Sequence, residues 1–315
     1  MAFALAGFLV TAWQQRTAIN LSETAGGQYP YLREAARMAT EGVTSYLGDR
    51  NRNPLYLALL STVHDESHAV YFIRATSFAV FTSGLWLVLL AFLLWGVLKQ
   101  FGATGFMVTA TAWLLYLPTA SFVQAELLFY LLFLLAYLFS ANALMNRSAW
   151  TAAMAGVLTG LAWLTKASGL IMLPIVLAGF LVVGLRDVSA KRSLRPRLVG
   201  GLVFLLAFGA VTAPLWCANW SHFGSPFYNV NSRFYMWFDS WSEARRFSIQ
   251  CLPEQSFPVD CEQVLPGPVQ YWKTHSVAQI FARLSSGFAA QMTHLVAHPM
   301  TKYVLAIWLL NVYLM

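Results

Sequence analysis

Repeated apolar runs of roughly 20 residues restrict the fold of this chain more than any other feature, because each run is long enough to cross the hydrocarbon core of a bilayer as a helix. Of the 315 residues, 58% are hydrophobic and 10% are charged, whereas about 25% of the residues of an average soluble domain are charged. The sequence lacks the alternating ten-residue strands typical of membrane barrels. We therefore predict an all-α fold, a polytopic bundle of transmembrane helices.

The apolar runs also place the spans along the chain. The predicted spans are residues 1–13, 77–98, 104–117, 126–145, 151–185 and 198–216, and a further transmembrane helix begins at Thr301. The run 151–185 is too long for one crossing, and Lys166, Ser168 and Gly169 interrupt it, which predicts two short helices joined by a tight turn at the membrane surface. Because the last apolar run stops at Met315, we expect the chain to be a fragment of a longer protein.

Two polar segments separate the spans. We predict a transmembrane module at 1–217 with a first outer loop at 14–76, a second outer loop at 218–300, and the start of another span at 301–315. In the first loop, apolar residues recur at helical spacing from Tyr31 to Ala39 and are followed by Gly42, which predicts a helix lying at the membrane interface. Interfacial helices are expected in both outer loops.

Positive charges indicate the orientation in the membrane. One short connector carries five of them, with Asp187 as the opposing charge: Arg186, Lys191, Arg192, Arg195 and Arg197. Positive residues of short loops stay on the cytoplasmic side, so this connector is predicted to be cytoplasmic and both outer loops to lie on the other side. The net charge of +7 is not arranged as one basic and aromatic face, so no nucleic acid is expected as a partner.

This topology gathers ionisable residues at the outer face of the membrane. They are Glu23, Arg50, Arg52, Asp65, Glu66, Glu126 and Lys166. Charges at membrane depth are costly and usually functional. Carboxylates and cations at the boundary of lipid and water suit a substrate with a hydrocarbon tail and a phosphate head, whereas an ion path requires charges distributed through the bilayer.

Four stretches of the sequence match a known family in order along the chain. They are 22–32 (SETAGGQYPYL) continuing into 48–56 (GDRNRNPLY), 124–129 (QAELLF), 156–166 (GVLTGLAWLTK), and 213–216 (APLW) with Asn219 and 223–227 (FGSPF). With these stretches the chain resembles the glycosyltransferase C superfamily, over the N-terminal portion of the dolichyl-phosphate-mannose protein mannosyltransferases and the bacterial aminoarabinose transferase-like membrane enzymes. The glycine-spaced helix that ends in Lys166 is the most diagnostic stretch.

The resemblance implies a catalytic acid in the first outer loop, which in such enzymes serves as base or holds a metal. Glu23 is the residue that matches this acid best. Gly26 and Gly27 intervene before the next tyrosine, however, so the choice of base stays open between Glu23 and the adjacent Asp65 and Glu66.

The departing phosphate of a lipid-linked sugar calls for cations, and Arg50, Arg52 and Lys166 are assigned to it. Tyr56 and Glu126 are assigned to substrate binding with them. Structural alternatives stay open. Lys166 can extend its amine to the membrane interface without binding a phosphate, and the two arginines can anchor to lipid headgroups. Glu126 can have a purely structural role, because the helix dipole favours a carboxylate at a helix start. Glu23 has the alternative of capping a helix or facing water.

The run His64-Asp65-Glu66-Ser67-His68 contains ligand types for a divalent metal ion but lacks the spacing of a known metal motif, so a metal cofactor stays open and no metal ligand is assigned. Cys251 and Cys261 share the second outer loop, where a disulfide is permitted. The presence of that bridge is left open.

The expected function is therefore a membrane glycosyltransferase of hexosyl or pentosyl groups. Its donor would be a polyprenyl-phosphate sugar, and its acceptor a lipid, glycan or protein on the non-cytosolic side. Its surroundings would be the lipids of a bacterial inner (plasma) membrane, with the site facing the periplasm or the outside. A multi-span transporter or lipid flippase is the alternative of a different class, and a subunit that holds the donor without chemistry is a third.

Overall fold

The computed structural model describes residues 2–47, 53–92, 117–229, 234–251 and 267–297, and these residues contain helices and no strand. In chain order the helices are α1 (Ala2–Ala18), α2 (Tyr29–Glu41), α3 (Val43–Tyr46), α4 (Pro54–Ser61), α5 (His68–Phe92), α6 (Glu126–Asn146), α7 (Ala149–Thr165), α8 (Met172–Ser189), α9 (Arg195–Phe223), α10 (Trp241–Cys251), α11 (Pro268–Thr274) and α12 (Val277–Ala297). The prediction of an all-α fold is confirmed.

Four helical segments are long and apolar enough to cross a membrane. They are α5, α6, the segment Ala167–Ser189 that contains α8, and α9, while α7 is a shorter apolar helix. The chain is thus an integral membrane protein built as a helical bundle. The predicted spans 104–117 and 301–315 lie, except for Leu117, outside the described residues.

The described residues divide into two compact units, the first ending at Pro226 and the second beginning at Phe227. In the first unit, α7 packs mainly against α6 and α9. Most of its buried side chains are small, with Leu158 and Trp163 as the larger ones, and Ala152, Ala155 and Ala162 have no exposed surface. Small residues allow the backbones of membrane helices to approach closely, and this packing orders the centre of the unit.

The glycines of the 156–166 stretch have a structural role at the contact between α7 and α9. A Cβ added to Gly156 would collide with the backbone carbonyl of Phe204, and one added to Gly160 would come within 3.0 Å of the Val211 side chain. The glycine spacing that carried the family resemblance is therefore also what the helix contact requires.

The predicted break in the run 151–185 is confirmed. Helix α7 ends at Thr165, a 3-10 turn covers Ala167–Ile171, and α8 begins at Met172. A Cβ at Gly169 would lie 2.7 Å from the backbone of Trp163, so the chain doubles back tightly there. The side-chain amide of Asn53, just before α4, donates to the Trp163 carbonyl and ties the end of α7 to the loop segment.

Two helices extend beyond the predicted spans into the polar layers. Helix α5 begins at His68 rather than Ser77, and α9 covers Arg195–Phe223 rather than 198–216. The added ends carry charged or polar groups with partners, such as His68 with Glu23 and Arg197 with Asp187. The predicted helix before Gly42 is confirmed as α2, and Gly42 ends it with a φ of +87°.

Asp187 joins three parts of the first unit at the end of the bundle opposite Glu126. Its two carboxylate oxygens accept from Arg147 at 2.7 Å and from Arg197 at 2.8 Å. Arg197 also donates to the Leu144 carbonyl, and its side chain is 6% exposed. The one acid in the predicted cytoplasmic connector thus fixes the α6–α7 turn to α8 and α9.

We expect Asp187→Asn to lower the melting temperature of the protein, because Arg197 would stay charged and buried after losing its ionised partner. The matched control is Arg186→Gln, one residue away and exposed. Melting is followed by intrinsic fluorescence in detergent. Equal melting temperatures for Asp187→Asn and Arg186→Gln would show that the cluster contributes no net stability.

In the second unit, Asp239 holds α11 and α12 to the preceding segment. It accepts a bond from His275 Nε2 at 2.9 Å, and the hydroxyl of Tyr271 donates to its other oxygen at 3.3 Å. Arg283 of α12 lies 3.8 Å from the same carboxylate. Donating this hydrogen bond to Asp239 raises the pKa of His275, and accepting it lowers the pKa of Asp239.

This contact is expected to weaken as the pH rises. A raised His pKa stabilises the folded form fully below the ordinary value of about 6.5, and that stabilisation is lost as the pH rises through the raised pKa. Hydrogen–deuterium exchange of α12, corrected for intrinsic rates, should show less protection at pH 9 than at pH 6. His275→Gln should remove this difference; an unchanged difference would contradict a role of His275.

Candidate functional site

One end of the first unit contains a group of acidic, phenolic and basic side chains that we call the acid–tyrosine cluster. Its members are Glu23, Tyr31, Tyr56, Tyr71, Glu126 and Lys166. They come from the loop after α1, from α2, α4 and α5, from the start of α6 and from the break after α7. The connections between these elements place the cluster where apolar helices end.

Glu126 and Lys166 form the charged pair of this cluster. Glu126 is the first residue of α6, where the helix dipole favours a carboxylate, and Lys166 follows the last residue of α7. Because α6 and α7 run antiparallel through a short turn, these two helix ends meet, and Lys166 Nζ lies 2.8 Å from Glu126 Oε1. Both side chains keep access to solvent, at 41% and 34% exposure.

The pair leaves one oxygen of Glu126 free for another group. Glu126 Oε2 is buried and accepts no hydrogen bond from the described residues. Burial lowers the pKa of Lys166, but the hydrogen bond and charge of Glu126 outweigh it, and the net pKa of the lysine is raised. The amine therefore stays a cation at neutral pH.

Tyr56 is the most buried member of the cluster, at 1% exposure. Pro54 begins α4 and orients its first turn so that the Tyr56 ring meets Tyr31 edge-on at 5.6 Å and Phe78 at 6.0 Å. Burial, then the nearby Tyr31 and Glu126, raise the pKa of the phenol well above its usual value. The hydroxyl is thus a hydrogen-bond donor at any physiological pH.

Among the described residues, the Tyr56 hydroxyl has no acceptor for its proton. The backbone N–H of Gln124 approaches its oxygen, but no described residue makes a hydrogen bond of normal geometry to the hydroxyl. A buried polar group without a partner costs free energy. Together with Glu126 Oε2, Tyr56 gives the cluster one donor and one acceptor that no described residue uses.

Glu23 lies at the other side of the cluster. Its Oε1 is 2.5 Å from His68 Nδ1 at the start of α5, and the Glu23 side chain is 23% exposed. It is within electrostatic reach of Tyr71, whose hydroxyl donates to the Leu32 carbonyl at 3.1 Å. Tyr71 is in turn a neighbour of Tyr56, so the two tyrosines connect Glu23 to the Glu126–Lys166 pair.

Buried amides fix the Glu23 loop to the segment before α6. Gln28 donates to Asn20 Oδ1 at 2.6 Å, Asn20 donates to the Ser121 carbonyl at 2.8 Å, and the Val123 N–H donates to Gln28 Oε1 at 3.1 Å. Asn20 and Gln28 are both essentially unexposed. This network holds the loop that carries Glu23 in a defined position relative to the helix start that carries Glu126.

The intervening glycines of this loop are required by its path. Gly26 has a φ of +61°, and a Cβ there would lie 2.6 Å from the Phe122 ring. Gly27 also has a positive φ, of +71°. The Gly26-Gly27 insertion therefore brings the loop against the segment before α6, where Gln124 donates to the Gly26 carbonyl.

Asp65 and Glu66 make different contacts from Glu23. Asp65 accepts from the Ser67 N–H at 2.9 Å and pairs with Arg74 at 3.1 Å, both at the start of α5. Glu66 is exposed and pairs with no described cation. Neither is a neighbour of Tyr56 or Lys166 in the described contacts. Arg50, Arg52 and Cys261 lie outside the described residues.

The His64–His68 run does not form a metal site among the described residues. No three His, Cys, Asp or Glu side chains in that part of the chain gather as metal ligands would. His64 instead packs edge-on against Tyr71 at 4.9 Å, Asp65 faces Arg74, and His68 faces Glu23. Each of these side chains therefore faces a different partner rather than one shared point.

Sequence reasoning found Glu23, Tyr56, Glu126 and Lys166 but missed two members of the cluster. The helical pattern predicts Tyr31 only as part of the apolar face of α2, and Tyr71 falls outside the predicted spans. A tyrosine that recurs near an interface often has a polar handle with a buried body, which is the signal that was available. Comparison with known proteins adds no further residue, because no family model, no curated protein and no solved structure matches this chain.

Proposed function

We propose that this protein is a membrane glycosyltransferase that transfers a sugar from a polyprenyl-phosphate-linked donor to an acceptor on the non-cytosolic side. The observation that carries the proposal is the acid–tyrosine cluster. It combines two carboxylates, a lysine cation and an unpartnered buried phenol at the end of apolar helices. A donor with a charged head and a hydrocarbon tail needs polar and charged side chains around its head and apolar helices along its tail.

In the proposed reaction, an acceptor hydroxyl attacks the anomeric carbon while the bond from that carbon to the phosphate oxygen breaks. Glu23 takes the proton of the attacking hydroxyl, and His68, 2.5 Å away, orients the carboxylate. The departing polyprenyl phosphate gains a negative charge, which the Lys166 ammonium stabilises. One new glycosidic bond forms for each sugar–phosphate bond that breaks.

Tyr56 and Glu126 would bind the sugar between these two groups. The phenol donates and Glu126 Oε2 accepts, so the hydroxyls of a sugar can satisfy both unused groups. The polyprenyl tail would lie along the apolar helices, where each methylene removed from water contributes about 0.8 kcal/mol.

The distribution of ionisable groups favours this reading over a transporter or flippase. In the four described span segments, the acidic, basic and histidine side chains lie within about two turns of an end: His68, Arg74, Glu126, Arg186, Asp187, Arg195, Arg197 and His222. Transporters place substrate and ion sites near the bilayer midplane. The arginine-rich connector supports a cytoplasmic location of the opposite end, and so a periplasmic location of the cluster if the membrane is a bacterial inner membrane.

The test is a turnover assay with the full chain in lipid nanodiscs. Polyprenyl-phosphate donors that carry a labelled hexose or pentose are supplied together with lipid, glycan and peptide acceptors. The label is followed from donor to product. We expect at least one donor to be consumed with a labelled product. A protein that binds donor without consuming any would be a carrier, and the glycosyltransferase proposal would be wrong.

Tyr56→Phe tests whether the Tyr56 hydroxyl binds substrate, because the substitution removes the hydroxyl and keeps the packed ring. The ring contacts with Tyr31 and Phe78 remain, and the hydroxyl makes no internal bond of normal geometry, so the melting temperature should stay within about 2 °C. Turnover should fall by roughly 10–100-fold, because one hydrogen bond to substrate is lost. The matched control is Tyr137→Phe on α6, an exposed tyrosine. Full turnover by Tyr56→Phe would show that the Tyr56 hydroxyl does not bind the substrate.

A further inference from the structure

A lipid-sized groove runs between α1 and α5 in the first unit. It is about 460 Å³ and is lined by Leu9, Val10, Trp13, Gln14, Ser77, Val80 and Phe81. This volume lies in the range of roughly 300–1,000 Å³ typical of small-molecule sites. Its walls are almost wholly apolar. Gly84 lets α1 and α5 approach closely, since a Cβ there would lie 2.6 Å from the Leu9 side chain.

The groove opens outward through side chains that are exposed although they are strongly apolar. Val10 is 57% exposed, Trp13 51% and Phe81 61%. In a membrane protein, such a surface on a span helix faces lipid rather than water. The groove therefore lies open to the hydrocarbon of the bilayer.

A cation, Arg16, lies next to the lining residues Trp13 and Ser77. Arg16, in the last turn of α1, donates to Ser77 Oγ at 2.6 Å and lies 4.0 Å over the Trp13 ring. Its Nε has no acceptor, and no carboxylate of the described residues lies within ion-pair distance of it. An arginine has five donors and a fork that matches phosphate oxygens, so the guanidinium has unused capacity for an anion.

The order of these features along the helices matches the order of groups in a lipid. Arg16 lies at the helix end, near the start of α5 where His68 meets Glu23, and the apolar lining continues toward Leu9 and Phe81 in the direction of the membrane interior. A phosphate at Arg16 would place the attached chain in the groove without bending it back.

We infer that this groove binds one acyl chain of an anionic phospholipid, whose phosphate pairs with Arg16. Charge complementarity favours the anionic class, because its headgroup has a net negative charge, whereas a zwitterionic headgroup adds a cation close to the phosphate. The second acyl chain would remain in the bilayer. This site does not depend on the proposed catalytic activity, since it shares no residue with the acid–tyrosine cluster.

The test uses native mass spectrometry of the full chain purified in detergent and given equal amounts of phosphatidylglycerol and phosphatidylcholine with identical chains. One phosphatidylglycerol should be retained preferentially. Arg16→Gln should lower that retention roughly tenfold, as expected for the loss of one charge-assisted pair. Val10→Trp, which fills the groove from an exposed position, should lower the retention of both lipids.

Matched controls distinguish this site from general lipid binding. Arg186→Gln removes an equal charge at the other end of the bundle, and Val88→Trp adds an equal ring at an exposed position of α5 outside the groove; both should retain phosphatidylglycerol as the parent protein does. The inference is overturned if Arg16→Gln and Arg186→Gln behave alike, or if Val10→Trp retains lipid fully. Selective retention of polyprenyl phosphate over phosphatidylglycerol would also overturn the phospholipid assignment.

Discussion

Glu23→Gln is expected to lower the rate of sugar transfer by roughly 10²–10⁴-fold, the usual contribution of a positioned general base. The amide is nearly the same size as the carboxylate and still accepts a hydrogen bond from His68, so the loop held by Asn20 and Gln28 should keep its position. Initial rates with saturating donor and acceptor measure the effect, and melting temperature verifies the fold.

Glu66→Gln is the matched control for this substitution. It removes the same carboxylate from a nearby exposed position that has no ion pair with the described residues, and its rate should equal that of the parent protein. An inactive Glu66→Gln beside an active Glu23→Gln would transfer the role of base to the Asp65–Glu66 pair. Asp65→Asn is less informative, because Asp65 also stabilises the start of α5.

Gly156→Ala is expected to produce the largest loss of stability among conservative changes in the bundle, about 1–3 kcal/mol or more. The new methyl group would meet the carbonyl of Phe204, a backbone atom that cannot rotate away, and would lie 3.0 Å from the Ala207 Cβ. Helices α7 and α9 would have to separate to accommodate it. Unfolding by steric trapping or by denaturing detergent measures the change.

Gly209→Ala on α9 provides the same chemical change without the collision. A Cβ at Gly209 would have its closest contact at 3.8 Å, with the Trp216 ring, so the greater helix propensity of alanine should leave stability unchanged or raise it by up to about 1 kcal/mol. Equal stabilities for the two variants would contradict the tight α7–α9 contact and leave the glycine spacing without a structural reason.

Local signals in the sequence were enough for several elements of the fold and site. Gly42 ends α2 because its φ of +87° favours glycine, and the acid Glu126 begins α6 where the helix dipole favours it. The polar Lys166 and the small Gly169 interrupt an apolar run that is too long for one helix. Each of these signals acts within a few residues of the element it defines.

Other features could not be read from the sequence because they depend on partners far along the chain. The early start of α5 depends on Glu23 facing His68, and the position of Glu23 depends on amides that bond across about a hundred residues, from Asn20 to Ser121. The assignment of Asp65 to the start of α5 likewise required its contact with Arg74. Local periodicity does not encode which distant polar groups pair.

The two ends of the bundle differ in whether their buried polar groups have hydrogen-bond partners. At one end, Asp187 satisfies both of its arginines and leaves nothing unused, as expected of a structural cluster. At the other end, Glu126 Oε2 and the Tyr56 hydroxyl are buried and have no partner in the described part of the chain. Unsatisfied groups cost stability, so their presence beside a lysine and a second acid is best explained by a ligand that completes them.

Photoaffinity mapping of the donor tests this central claim most directly. A polyprenyl-phosphate sugar with a diazirine on the sugar is irradiated with the full chain in nanodiscs, and labelled peptides are located by mass spectrometry. The account predicts labelling at the acid–tyrosine cluster, on the α2 and α4 peptides that carry Tyr31 and Tyr56, with strong reduction in Lys166→Met. Labelling confined to the second unit, or labelling at the cluster that is unchanged in Lys166→Met, would contradict it.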